Sequence, residues 1–306
     1  MVVRCMCRIR HARSKPIDSA EAKLMNPFKA AARLLFFWKK PRAVVPVVRL
    51  SGVIASSSQM RRGLSLEGVE PQLKKAFAMR GAKAVALIIN SPGGSPVQSA
   101  LIGKRVRDLA RKGNVPVLAF CEDVAASGGY WLAASADEIY ANAASVIGSI
   151  GVVSAGFGFD RAIERLGVER RVYTAGTNKM ILDPFQPEKE TDVVRLKSLQ
   201  AEIHEQFITH VTDRRGGKLT GAHEDLFSGA FWTGAAAVKL GLIDGLADCR
   251  GMVTERFGED TDLVTIEPKK RLFGGFGGLP GTLVGRVVDD AVDVAVERAH
   301  MARFGL

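Results

Sequence analysis

Histidine and cysteine are both scarce in this chain of 306 residues, which has five of the first and four of the second. The cysteines, Cys5, Cys7, Cys121 and Cys249, lack the spacing of a zinc set, and Cys5-x-Cys7 alone argues for neither metal nor disulfide framework. No metal or other cofactor is expected, and a reducing compartment is the simpler inference. A phosphate-cradling loop is missing too, because Gly-x4-Gly-Lys followed by Ser or Thr does not occur. Residues 1–42 contain no apolar run near the ~20 residues a spanning helix needs. The longest uncharged apolar stretch there is Leu34 to Trp38. Charges run through Met1-Val2-Val3-Arg4-Cys5-Met6-Cys7-Arg8 with no apolar h-region, so a secretory signal is not expected at this start. The expectation is a cytoplasmic protein with no spanning helix. Met25-Asn26-Pro27-Phe28 reads as a second plausible start, which leaves residues 1–24 outside the argument about fold.

Acidic charge is short only at one end. The formal net charge is +11, and the first 42 residues, with eleven Lys or Arg against Asp18 and Glu21, hold +9 of it. The remainder is nearly neutral, so nucleic acid is not expected as a partner. Within residues 26–42 the basic charge is interleaved with Phe28, Leu34, Leu35, Phe36, Phe37 and Trp38. That pattern fits peripheral contact with an anionic membrane surface, and it equally fits a solvated tail or packing on a neighbouring subunit.

What is present is a pair of strand-loop-helix units. Ala84 to Ile89 reads as a buried strand, Asn90-Ser91-Pro92-Gly93-Gly94-Ser95 as a loop, and Val97 to Arg111 as a helix. Val115 to Phe120 then reads as a strand, and Trp131 to Ala136 as a helix beyond the turn Ala126-Ser127-Gly128-Gly129. In a parallel α/β layer both loops emerge at the carboxyl ends of their strands, on one edge. A hydroxyl residue flanked by Ala and Gly at a strand-to-helix turn makes Ser127 a candidate nucleophile. Free N–H groups from the two glycine-rich loops can converge on one developing oxyanion.

An attacking serine needs a base, and the histidines answer poorly. His11 lies in the basic tail and His300 near the C-terminus, His204 and His210 fall in the charged helical pattern Glu188 to Arg215, and His223 follows it. A solvated or structural role is expected for each. Lysine is the alternative, and as a class it serves as a base once desolvation favours its neutral form. Lys179 stands after a candidate strand, Arg170 to Thr174, among apolar neighbours and without an adjacent carboxylate; Lys189, Lys197 and Lys218 lie in charge-rich surroundings.

With those residues in view the chain resembles the signal peptide peptidase A family of bacterial serine proteases. The matching pieces run in order from Val47-Val48-Arg49-Leu50-Ser51-Gly52 through Asn90-Ser91-Pro92-Gly93-Gly94 and Ala126-Ser127-Gly128-Gly129-Tyr130. They continue with Ile147-Gly148-Ser149-Ile150-Gly151, Thr174-Ala175-Gly176 leading to Lys179, Trp232-Thr233-Gly234 and Gly241-Leu242-Ile243-Asp244. The resemblance implies an α/β fold of the Clp-protease and crotonase type. It further implies a Ser-Lys dyad of Ser127 and Lys179, oxyanion donors at Gly94 and Gly128, and Ser149 orienting the lysine. Ring assemblies in which a neighbour completes the site are implied as well, as are peptide substrates such as signal-peptide remnants. Two other functions share the sheet: a crotonase-like acyl-CoA enzyme, and a non-catalytic scaffold.

The expected organisation is a basic tail over 1–42, a peptidase domain over 43–266, and a Gly-rich joint with a C-terminal helix over 267–306. Further strands are expected at Glu138 to Ala141 and Val146 to Val153, with a helix at Arg161 to Leu166. Val284, Val287, Val288, Ala291, Ala295 and Ala299 form an apolar stripe at helical spacing, expected to pack on a partner or the chain's own core.

Overall fold

Near-continuous apolar runs, as in Val85-Ala86-Leu87-Ile88-Ile89, suit parallel strands covered on both faces, and such strands form the centre of the molecule. The computed structural model describes residues 42–56, 63–268 and 280–306, with the side chains of 280–290 excepted. The chain divides into Met1–Pro41 and Arg42–Leu306, and the description concerns the second unit. The candidate membrane segment, apart from Arg42, and most of the Gly-rich joint lie outside the described residues.

The strands are β1 (Val44–Ser51), β2 (Val85–Ser91), β3 (Val117–Ala126), β4 (Glu138–Ala141), β5 (Val146–Gly148), β6 (Phe231–Thr233), β7 (Gly245–Leu246) and β8 (Asp262–Thr265). They form one sheet in the order β6-β5-β3-β2-β1-β8, with β4 between β3 and β7. All pairs are parallel except β5 with β6. The long strand β3 pairs with β4 through Leu118 to Cys121 and with β5 through Val124 to Ala126, so one strand organises two neighbours. Apolar clusters fill both faces: one contains Leu50, Leu87, Ile89 and Tyr130, the other Val45, Ile88, Phe120 and Tyr140. This is the layered arrangement, with repeated strand-loop-helix units, expected for a Clp-protease or crotonase-like fold.

Local chemistry sets the helices that flank the site. α1 (Leu66–Phe77) begins at Ser65, whose hydroxyl accepts from the Gly68 N–H. α2 (Pro96–Gly113) begins at Ser95, accepting from Gln98, with proline at its first position and Asn114 in the left-handed conformation at its end. Each such N-cap contributes about 1 kcal/mol. α3 (Gly128–Ala134) starts directly after Ser127, three residues earlier than the apolar pattern suggests. α4 (Asp160–Arg165) and α5 (Glu190–Arg215) follow, then α6 (His223–Leu226), α7 (Gly234–Lys239), α8 (Cys249–Phe257) and α9 (Pro280–Ala302).

Two expectations need correction. The strand expected over Val146 to Val153 stops at Gly148, because Gly148 (φ 110°) and Ser149 (φ 53°) turn the chain out of extended geometry. Arg170 to Thr174 is irregular and Tyr173 is 91% exposed; strand formers need a sheet edge, and none reaches them among the described residues. On α9, where packing on a partner or on the chain's own core is expected, Ala291, Ala295 and Ala299 are exposed, so these three residues do not pack on the chain's own core.

Candidate active site

The loops after β2 and β3 meet at one end of the sheet, as adjacency of two parallel strands requires. Ser127 has φ 51° and ψ −122°, a region of the map that normally needs glycine and costs a side chain about 1–3 kcal/mol. Its N–H is held by the Gly148 carbonyl at 2.8 Å, while its hydroxyl makes no cap bond to the helix it precedes. The hydroxyl is thereby presented at the head of α3 rather than spent on it.

The neighbouring loop is clamped against this turn. Ser91, fully buried, donates its hydroxyl to the Gly52 carbonyl at 2.7 Å and accepts from the Gly93 N–H at 3.2 Å. Asn90 reaches β3, donating to Asp123 and accepting from the Val124 N–H. Gly93 admits no side chain, for a Cβ there would stand 2.7 Å from the Ser127 Cβ. Gly94, at φ 138°, lies so close to residue 54 that a Cβ would meet the Ile54 carbonyl oxygen at 2.1 Å. The flanking bonds, Ile54 N–H to Gly93 O and Ser95 N–H to Ile54 O, leave the Gly94 N–H unused. The Gly94 nitrogen is 3.4 Å from the position a Cβ on Gly128 would take, so the two glycines face each other across the turn. Neither the Gly94 nor the Gly128 N–H has a hydrogen-bond partner among the described residues. Two free donors beside a strained serine form a pocket suited to an oxyanion.

A cavity of about 490 Å³ opens on this turn, lined among others by Gly94, Ser127, Ser149, Val152, His204 and Phe304. Ser149 is pinned by its N–H to the Ala230 carbonyl at 2.7 Å, and it shares the cavity with Ser127. Lys179 does not line it. That residue is exposed in a turn of the excursion between β5 and α5, with its side chain free of hydrogen bonds and ion pairs among the described residues. A single chain therefore unites Ser127, Gly94, Gly128 and Ser149 and leaves Lys179 outside. Another cavity, of about 590 Å³, lies within the excursion itself, where Phe157, Phe159 and Met180 line it and Ser127 does not.

Two histidines were expected to be solvated or structural, yet stand at the cavity: His204 on α5, donating to the Ile150 carbonyl at 3.1 Å, and His300 on α9. No periodicity could reveal this, since α5 and α9 reach the site from distant sequence. His210 does have the structural role expected. It stacks on Trp131 at 4.6 Å and donates to the Trp131 carbonyl, and burial pulls its pKa below the usual imidazole value.

Comparison with known proteins adds lineage to this geometry. The profile of Peptidase family S49 matches residues 109–258, a span that includes Ser127, Ser149 and Lys179 but not Gly94. A Synechocystis protein whose name describes a protease is 31% identical over 262 residues, covering 81% of this chain and 86% of that protein. An Enterococcus faecium protein named for signal peptide peptidase SppA is 31% identical over 204 residues, 65% of this chain and 59% of its own length. A Brucella abortus protein named Na(+)/H(+) antiporter NhaA is 52% identical over 272 residues, which are 86% of this chain but only 37% of that longer protein. The antiporter name is that of the longer protein; among the described residues here no helix is long and apolar enough to cross a membrane. With the protease-named relative matched over 86% of its length, this chain belongs to the signal peptide peptidase A family, Peptidase family S49.

Proposed function

We propose that the protein is a serine endopeptidase in which Ser127 is the nucleophile and Lys179, supplied by a neighbouring copy in a ring, is the general base. The observation that carries the reading is the strained Ser127 turn, with the free N–H groups of Gly94 and Gly128 beside it. Ser127 Oγ attacks the scissile carbonyl carbon as its proton passes to the neutral amine of Lys179. The carbonyl oxygen gathers negative charge between Gly94 and Gly128. The tetrahedral intermediate collapses to an ester on Ser127, the lysine returns the proton to the departing amine, and water, deprotonated by the same lysine, cleaves the ester. Ser149 accepts a hydrogen bond from the amine and aims it.

Supply from a neighbour rests on three features: an exposed Lys179, a Ser127 cavity without it, and an excursion that leaves Phe157, Leu166 and Tyr173 at 82%, 76% and 91% exposure. Apolar exposure on that scale suits a contact with another copy. The substrates are unfolded or membrane-derived peptides, signal-peptide remnants among them. Residues 26–42 bring the enzyme to the membrane surface by basic and aromatic side chains.

Mixing two inactive variants tests the arrangement. Ser127→Ala and Lys179→Ala proteins, dissociated and reassembled together, regain turnover at about a quarter of the interfaces if serine and lysine come from different copies. No recovery by the mixture, with each single variant inactive, places the pair within one chain. Acyl-CoA hydrolysis in place of peptide hydrolysis would favour the crotonase-like reading.

A further inference from the structure

The two oxyanion donors reach the site from separate helices. Gly94 immediately precedes Ser95, the N-cap of α2, and Gly128 opens α3, so the gap between their N–H groups follows from how the two helices pack. They pack at close range. Ser99, one turn into α2 and fully buried, stands so near Gly128 that a Cβ there would lie 2.4 Å from the Ser99 Oγ. One turn later, a Cβ on the buried Gly103 would lie 2.4 Å from the Ser135 Oγ and 3.4 Å from Trp131 Cδ1. On its other side α3 rests on the end of β2, where a Cβ on Gly129 would meet the Ser91 carbonyl oxygen at 2.3 Å.

Helix formation explains neither Ser99 nor Gly103. Glycine is the poorest helix former after proline, and serine inside a helix competes for backbone hydrogen bonds. Ser99 does so here: its hydroxyl donates to the Ser95 carbonyl at 2.9 Å, which also accepts from the Ser99 N–H at 3.0 Å. With its one proton spent on α2, the oxygen faces the Gly128 Cα–H, a weak contact that recurs where helices cross closely. Ser99 therefore touches both halves of the hole. It is tied to the residue that follows Gly94 and packs on Gly128 itself.

Resting on the peptidase reading, we propose that Ser99 and Gly103 are positioning residues that set the width of the oxyanion hole. A side chain larger than the serine at 99, or any side chain at 103, wedges α2 from α3 and carries Gly94 away from Gly128. A hole of this kind needs each donor about 2.7–3.1 Å from the developing oxygen, so a small wedge leaves the oxyanion with one good donor in place of two.

The hole can be read apart from peptide hydrolysis. A fluorophosphonate labels Ser127 as Oγ bonds phosphorus, its proton passes to the base and fluoride leaves, with the phosphoryl oxygen held in the same hole; mass spectrometry of the Ser127 peptide follows the rate. In the full-length protein Gly103→Ala should slow labelling about tenfold, short of the ~10²–10³ that loss of a whole donor costs. Adding Ser135→Ala removes the oxygen that the new Cβ strikes, and should restore the rate to within about twofold of Ser135→Ala alone. Ser99→Val should slow labelling at least as much as Gly103→Ala, whereas Lys104→Ala, on the exposed face of α2, should leave it unchanged. On a short soluble peptide Gly103→Ala should lower kcat with KM unchanged, because the hole grips the oxyanion rather than the ground state. A Gly103→Ala protein labelled as fast as wild type, a slowed one that Ser135→Ala does not restore, or a loss carried by KM would each overturn the proposal. Wild-type protein that is labelled at Ser127 yet inert toward peptides would remove the peptidase reading, and the labelling rates would still decide the hole.

Discussion

The two halves of the proposed dyad sit in opposite kinds of structure. Around Ser127, residues 91–93 and 124–126 are buried, every turn is tied by backbone or Ser and Asn hydrogen bonds, and the glycines stand in contact with neighbouring backbone. Around Lys179, from residue 152 to 189, Asp183 is the only buried residue. The excursion is fastened there by the ion pair of Arg170 with Asp183 and by the Arg170 guanidinium 4.9 Å over the Phe185 ring. That guanidinium also holds the Asp183 carboxyl below the usual carboxylate range. Preorganisation of an oxyanion site needs rigidity; a segment that completes itself against another molecule does not.

The sharpest way to break this comparison is to remove each residue in turn. Ser127→Ala should abolish peptide turnover, and Lys179→Ala should cost about 10²–10⁴-fold, measured as kcat/KM on a short soluble peptide. Melting temperature should barely move for Lys179→Ala, an exposed site worth within about 0.5 kcal/mol. A large loss of stability there would mean that the excursion packs more firmly than its exposure indicates.

Gly94→Ala probes the rigid region. With a Cβ 2.1 Å from the Ile54 carbonyl and φ 138°, the change should destabilise the fold by about 3 kcal/mol and remove activity together. Retained stability with lost activity would show that the loop yields easily, contrary to its clamped appearance. Arg170→Ala addresses the exposed excursion. Limited proteolysis should then nick residues 152–189 several-fold faster while the sheet stays intact, and unchanged nicking would locate the fastening elsewhere.

The smallest effect concerns His210. Burial lowers its pKa, so the fold favours the neutral ring. Its contribution is complete above the ordinary value of 6.5 and is lost as pH falls through the lower folded value. The melting temperature should decline on acidification from neutrality to pH near 5, and His210→Phe should flatten that slope. An unaltered slope would assign the decline to other groups.

Much of the site was legible because its chemistry is local. Ser127, Gly128, Gly93 and Gly94 sit in two short turns, each preceded by an apolar run and followed by helix formers, and turn chemistry depends on neighbours in sequence. Ser149 was traced through resemblance, and its placement in the same cavity follows from the β5 register. The reading failed where a partner decides. Arg170 to Thr174 has strand-forming residues but no strand to pair with among the described residues, and the helical spacing of the α9 alanines did not decide between a partner and the chain's own core.

By itself the sequence determined the alternation of buried parallel strands with capped helices, the two glycine turns at one sheet edge, and the concentration of basic charge in the first 42 residues. Periodicity, caps and turns act over a few residues, which is why they can be read in one dimension. Tertiary structure alone decided that Ser127 adopts a conformation normally left to glycine, that His204, His300 and Phe304 gather at its cavity, and that Lys179 stays outside it. Those outcomes depend on contacts between residues tens to hundreds of positions apart, and only the packed sheet and the helices laid on it bring such residues together.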